Sequence, residues 1–174
     1  MDTRLTKNAV KKLELRDIVL HSSSFSRNKD YEPLLYPLSI KKENGLQVKT
    51  EEICFLDDEN NEVPLLRIYV NLETRGIGSY PSDEMEDKEI ELFKIDAIYR
   101  IDYLIKKHLS DEEIKEFSKF NAVHNTWPFW RQHVYSVTNN ARLPQIVIPF
   151  FFAAPDSRKK KRTKRHRVSK NKPV

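Results

Sequence analysis

Between Leu92 and Ile105 the sequence LFKIDAIYRIDYLI alternates with a period of two. Phe93, Ile95, Ala97, Tyr99, Ile101, Tyr103 and Ile105 fall on one side. Lys94, Asp96, Arg100 and Asp102 fall on the other, with Ile98 the exception among them. Alternation sustained over this length specifies a long strand with one buried face and one wet face. Such a strand needs others beside it. Leu66, Ile68, Val70 and Leu72 alternate with Arg67, Tyr69, Asn71 and Glu73 and predict a second strand. Leu13–Leu20 reads as a third, less regular one. Leu46–Val48 and Ile53–Leu56 read as one bent strand or two short ones. The connections are too short for parallel crossovers, so the sheet is expected to be antiparallel.

The segments between these strands carry turn and loop chemistry. Asp57–Asn61 is a polar turn cluster, and Pro81–Asp87 is acidic and proline-bearing. Ser22–Asp30 and Tyr31–Pro37 read as irregular, since Pro33 and Pro37 donate no ladder hydrogen bond.

After the long strand the period changes. Ser110-Asp111-Glu112-Glu113 is a capping box. Ile114, Phe117, Phe120 or Asn121, and His124 then follow helical spacing. Pro128 suits the first turn of a new helix, and Trp130, Val134, Val137 and Ala141 form an apolar stripe that ends before Pro144. The expected fold class is α+β: a four-stranded antiparallel sheet, or a larger one, with one long or broken C-terminal helix packed on one face. Residues 1–9 are expected to be a flexible N-terminus, 10–152 the folded domain, and 153–174 a disordered basic tail.

The tail explains the charge. Residues 156–174 hold ten Lys or Arg side chains against Asp156, a net +9, and the remaining 155 residues carry −4. Arg158, Lys159, Lys160, Lys161, Arg162, Lys164, Arg165 and Arg167 are candidate polyanion-binding residues, through which nucleic acid or a ribosome would be held in a salt-sensitive way. A solvated tail with no fixed partner is the equally weighted alternative.

Elsewhere the sequence excludes more than it offers. Its three glycines form no phosphate loop, its five histidines make no HxxxH or HExxH pair, and no serine lies in a GxSxG frame. Cys54 alone permits neither an intramolecular disulfide nor a multi-thiolate metal site. No apolar run reaches the length of a membrane span and no signal peptide opens the chain. The expectation is a cytoplasmic, non-enzymatic protein without cofactor or metal.

The stretch Phe120–Phe150, FNAVHNTWPFWRQHVYSVTNNARLPQIVIPF, resembles the SecB family of protein-export chaperones. The resemblance is carried by Trp127-Pro128-Phe129-Trp130-Arg131, then Arg142-Leu143-Pro144-Gln145, then Ile146-Val147-Ile148-Pro149. Leu15–Arg27 looks like the family's first strand and Leu92–Ile105 like its last. The resemblance implies four antiparallel strands, a long helix on the sheet, and assembly into dimers or tetramers. It implies a holdase that keeps unfolded polypeptides in hydrophobic grooves, either handing clients to the SecA motor or guarding an antitoxin. This chain departs from export members by showing no helical pattern after Pro149 and by ending in Lys and Arg rather than acidic residues.

On that reading the candidate client-binding residues are Phe117, Phe120, Trp127, Phe129, Trp130, Phe150, Phe151 and Phe152. Aromatics on a helix face are more often core, so Trp127, Phe129 and Trp130 have that competing role. Arg131 is expected in an ion pair or cap, His124 and His133 as structural residues, and Cys54 as a buried, inert thiol.

Overall fold

A computed structural model describes residues 2–33, 40–78 and 89–151. The acidic stretch Pro81–Asp87, Phe152 and the basic residues from Arg158 onward lie outside them. Four strands form one sheet: β1 (Leu13–Arg27), β2 (Lys41–Leu56), β3 (Glu62–Gly78) and β4 (Ile90–Ile105). Their order is β1-β4-β3-β2 with every neighbouring pair antiparallel. The two strands with the clearest alternation therefore occupy the centre. Leu66, Ile68, Val70 and Leu72 stand opposite Tyr103, Ile101, Tyr99 and Ala97, and all eight are buried. The other sheet face carries the charged side chains, with an apolar patch of Ile53, Leu65 and Leu104 at one end. There Arg67 donates two hydrogen bonds to Asp102, at 2.8 and 2.9 Å, and Lys94 pairs with Glu73 at 3.0 Å. The Arg67 guanidinium holds the Asp102 carboxyl below its ordinary pKa.

β1 runs seven residues further than its alternation predicts. Bulges at Arg16 and His21 break the register. Each bulge adds a residue to one strand and flips the parity of the residues after it. The face carrying Leu13 and Leu15 thus passes to Ile18 and Leu20, then to Ser23 and Phe25. The extra residues turn to the polar face, where Arg16 lies 4.7 Å over the Phe55 ring and His21 meets Tyr69 edge-on. Because Phe55 belongs to the opposite edge strand, the sheet must curl strongly around that face. β2 is one continuous strand. As the other edge it leaves Cys54 exposed rather than buried.

The helices are α1 (Thr3–Val10), α2 (Asp111–Phe117) and α3 (Val123–Asn140). The N-terminus expected to be flexible is instead helical. Asp2 caps α1 by accepting from the Arg4 and Leu5 amides, Ala9 is fully buried, and Lys12 pairs with Glu113 at the start of α2. The capping box forms as expected, with Ser110 accepting from the Glu113 amide and Glu113 from the Ser110 amide. Instead of a break, a π-helical turn at Ser118–Ala122 joins α2 to α3. Ile114, Ser118, Ala122, Thr126, Trp130, Val134 and Thr138 are buried at every fourth residue. In a regular 3.6-residue helix such a row drifts by about 40° per step, and the wider π turn takes back part of that drift. The same turn rotates His124 out to solvent and brings Val123 inside. Pro128 lies within α3 rather than at a helix start. Its missing N–H leaves the carbonyl of His124 open, on the exposed side where water reaches it.

Arg142, at φ 52°, ends α3 in a left-handed turn. The Arg142 amide bonds to the Asn139 carbonyl and the Leu143 amide to the Thr138 carbonyl, the pairing of a Schellman cap. The chain reverses there and Leu143–Phe151 returns as an extended strap along α3.

Candidate peptide-binding surface

α3 packs over the central strands β4 and β3, and the strip of β4 between α3 and β1 is termed the trough. At one end Asn125 donates to the Tyr103 hydroxyl at 3.0 Å, and Tyr103 is paired with Leu15. In the middle the Phe129 and Tyr99 rings are 6.4 Å apart, and Tyr99 is paired with Leu20. At the far end a hollow of about 420 Å³ separates Phe25 and Arg27 from Asn140 and Arg142. The wall residues are greasy and uncovered. Leu15 is 46 % exposed, Leu20 49 %, Phe25 40 % and Phe129 48 %. Leu15, Leu20 and Phe25 share one face of one edge strand, the kind of grouping that marks an interaction surface. Burial pushes both floor phenols up to about 12, so the floor stays uncharged at neutral pH.

The edge of β1 is also unguarded. Exposed edges are usually blunted with charge, and β2 carries Lys41, Lys42, Glu43, Lys49, Glu51 and Glu52. From Ile18 to Ser26 β1 carries no Asp, Glu, Lys or Arg. Among the described residues β1 pairs only with β4, so an extended chain laid on its outer edge would meet backbone donors and acceptors beside apolar side chains.

The candidate aromatics separate into different environments. Phe117 packs edge-on against Tyr103, and both Phe117 and Trp130 are sealed in the core, where no client reaches them. Phe129 alone faces the trough. Phe120 is half-buried on the π turn. Trp127, Phe150 and Phe151 lie on the opposite flank of α3 with the strap. There the Trp127 indole donates to the Pro149 carbonyl at 2.7 Å and stacks obliquely on Phe151, 5.2 Å away. Arg131, expected in an ion pair or cap, donates instead to the Ile148 carbonyl at 3.1 Å and lies 4.4 Å over the Phe150 ring. Leu15, Ile18, Leu20 and Phe25 were not among the sequence candidates, because the two bulges hide their common face. Their signal is apolar pairs two apart, offset by three.

His133 stacks on Trp130, and its Nε2 is buried without a hydrogen-bond partner among the described residues. Burial lowers its pKa, while Asp96 pulls the other way less strongly. The unfolded chain therefore binds a proton that the folded chain resists. Stability rises with pH through this window and is lost as pH falls below about 6.5, the ordinary imidazole value. Urea unfolding of the wild type should show lower stability at pH 5.5 than at pH 7.5, and His133→Gln should remove part of that difference. Equal losses in both chains would contradict this assignment.

No family model and no curated protein matches this sequence. Among solved structures, a SecB-like chaperone from Mycobacterium tuberculosis, in complex with a peptide from the HigA1 antitoxin, superposes with a TM-score of 0.59. It is 14 % identical, and the match covers 87 % of this chain and 99 % of that one. A Streptococcus agalactiae protein of unknown function overlaps at a TM-score of 0.38 and 13 % identity, covering 79 % of this chain and 97 % of that one. It carries no weight here. The first match establishes that this chain has the SecB-like fold.

Proposed function

We propose that this chain of SecB-like fold is an ATP-independent holdase that keeps unfolded or aggregation-prone polypeptides in the trough between β1 and α3. The observation that carries the reading is the row of exposed apolar side chains Leu15, Leu20 and Phe25 on β1, beside the exposed Phe129 of α3. Each apolar client side chain buried there contributes about 1.5–3 kcal/mol, and several along one extended client act together. Backbone pairing to the open edge of β1 adds affinity that does not depend on sequence. Such binding draws the unfolded client away from aggregation by mass action and needs no ionisable catalytic group. The antitoxin peptide bound by the mycobacterial neighbour supports a client of this class. A second copy of the chain competes for the same edge, so assembly into dimers or tetramers and client capture are linked. The test is light scattering from a reduced, unfolded client. The full chain should suppress aggregation at near-stoichiometric ratio, and a folded chain that suppresses none would end this reading.

A further inference from the structure

The curled face of the sheet, opposite the trough, holds a hollow of about 410 Å³ lined by His21, Tyr69, Asn71, Gln47, Lys49 and Ile98, among others. Its position follows from the strand register. Ser22, Ile98, Asn71 and Gln47 stand side by side across all four strands, an uncharged row on a face that is otherwise charged. The rows beside it carry Arg100 and Lys49 on one side and Asp96 and Glu73 on the other. Ile98, the apolar exception in the alternation of β4, supplies the floor. The second bulge of β1 turns His21 onto this face, where its ring meets Tyr69 edge-on, 5.4 Å away at 67°. The two rings make an aromatic corner, and Asn71 and Gln47 are cross-strand partners that set two carboxamides beside it. Asn71 Oδ1 is buried with no hydrogen-bond partner among the described residues. Buried acceptors are normally satisfied, so this one is left for a donor from outside. Lys49 is already paired with Glu51, at 2.6 Å.

The geometry points to a binding site for an unpaired nucleobase, adenine foremost, on the curled face of the sheet. A planar ring stacks in the corner of Tyr69 and His21 over Ile98, and stacking a base on an aromatic side chain contributes about 1–3 kcal/mol. A carboxamide matches the adenine edge, accepting from the exocyclic amino group while donating to the neighbouring ring nitrogen. The open Asn71 oxygen takes the accepting role. A free phosphate or carboxylate fits poorly, because the lining offers an open acceptor and its lysine is already paired. The base arrives either as a free nucleoside or within a single-stranded RNA, whose phosphates the net +9 of residues 156–174 would attract. The site goes beyond the holdase reading and does not depend on it, since it lies on the other face of the sheet from the trough.

The test uses the full chain and two probes, adenosine and a single-stranded oligoadenylate, with an abasic oligomer of equal charge as the control. In methyl-labelled protein the Ile98 methyl resonances should shift on saturation with at least one probe. A shift with adenosine assigns a free nucleoside as sufficient. A shift with the oligomer alone, together with binding at least about tenfold tighter than that of the abasic oligomer, assigns RNA. Asn71→Ala should weaken binding of the responding probe at least about tenfold. Ile98 methyls that move with neither probe overturn the inference, as does binding of oligoadenylate and abasic oligomer alike without that shift, which is the signature of the C-terminal charges alone. Unchanged affinity in an Asn71→Ala chain that circular dichroism shows to be folded also overturns it. Should that variant fail to fold, the wild-type Ile98 response decides.

Discussion

Replacing Leu20 and Phe25 together by serine is expected to weaken capture of a labelled unfolded peptide on the order of 30-fold, with the chain still folded. Leu20 and Phe25 are about half exposed in the free chain, so each keeps apolar surface for a client to cover. Losing that second burial costs about 2 kcal/mol for the pair, and each 1.4 kcal/mol is about tenfold in affinity. Serine suits an edge position here, since Ser22, Ser23, Ser24 and Ser26 already follow Leu20 on β1. Circular dichroism should be unchanged and the midpoint of thermal unfolding only slightly lower. Peptide binding within threefold of the wild type would place the client elsewhere.

Trp130→Ala should have the opposite signature. Trp130 is 1 % exposed and stacks on His133, at the point where α3 packs against the sheet. Truncating a buried Trp costs about 3–5 kcal/mol, through lost transfer energy and the cavity left behind. Whole-domain stabilities are about 5–15 kcal/mol, so this one change removes at least about a fifth of the margin. Urea unfolding followed by circular dichroism should show a markedly lower midpoint with the slope unchanged. A loss under about 1 kcal/mol would mean that the helix is not anchored through this ring. Phe129→Ala is the internal contrast. That ring lies one residue earlier but projects into the trough, so its removal should reduce client binding far more than stability. The aromatic run Trp127–Trp130 thus divides between strap, trough and core within a single helical turn.

The sheet was legible from residues wherever burial falls on one face without interruption. β3 and β4 are central, each flanked on both sides, so their side chains alternate cleanly between core and water. β1 and β2 are edges, and half of the pressure that enforces alternation is missing there. β1 also carries two bulges, and strict period two loses the strand at the second of them. The long helix was half legible. Its cap at Ser110 and its stripe at Trp130 and Val134 follow from local chemistry. The continuity across Phe117–Val123 does not, because a π turn changes the phase without any marker residue such as Gly or Pro. Pro128, which normally signals a start, is tolerated inside because the carbonyl it orphans faces solvent. The site was the least legible part. Aromatic content pointed to Phe117 and Trp130, whose volume the core claims. The exposed wall belongs to the strand whose parity the bulges scramble.

The central claim is that the β1 edge wall, and not the general hydrophobicity of the chain, captures the client. Its most direct measurement is a side-by-side light-scattering titration of one reduced, aggregating client with the wild type and the Leu20→Ser, Phe25→Ser chain, at equal concentrations of folded protein. The account predicts near-complete suppression by the wild type at about one client per binding unit, and little by the variant at the same ratio. Indistinguishable curves, whether both suppress or neither does, would contradict it.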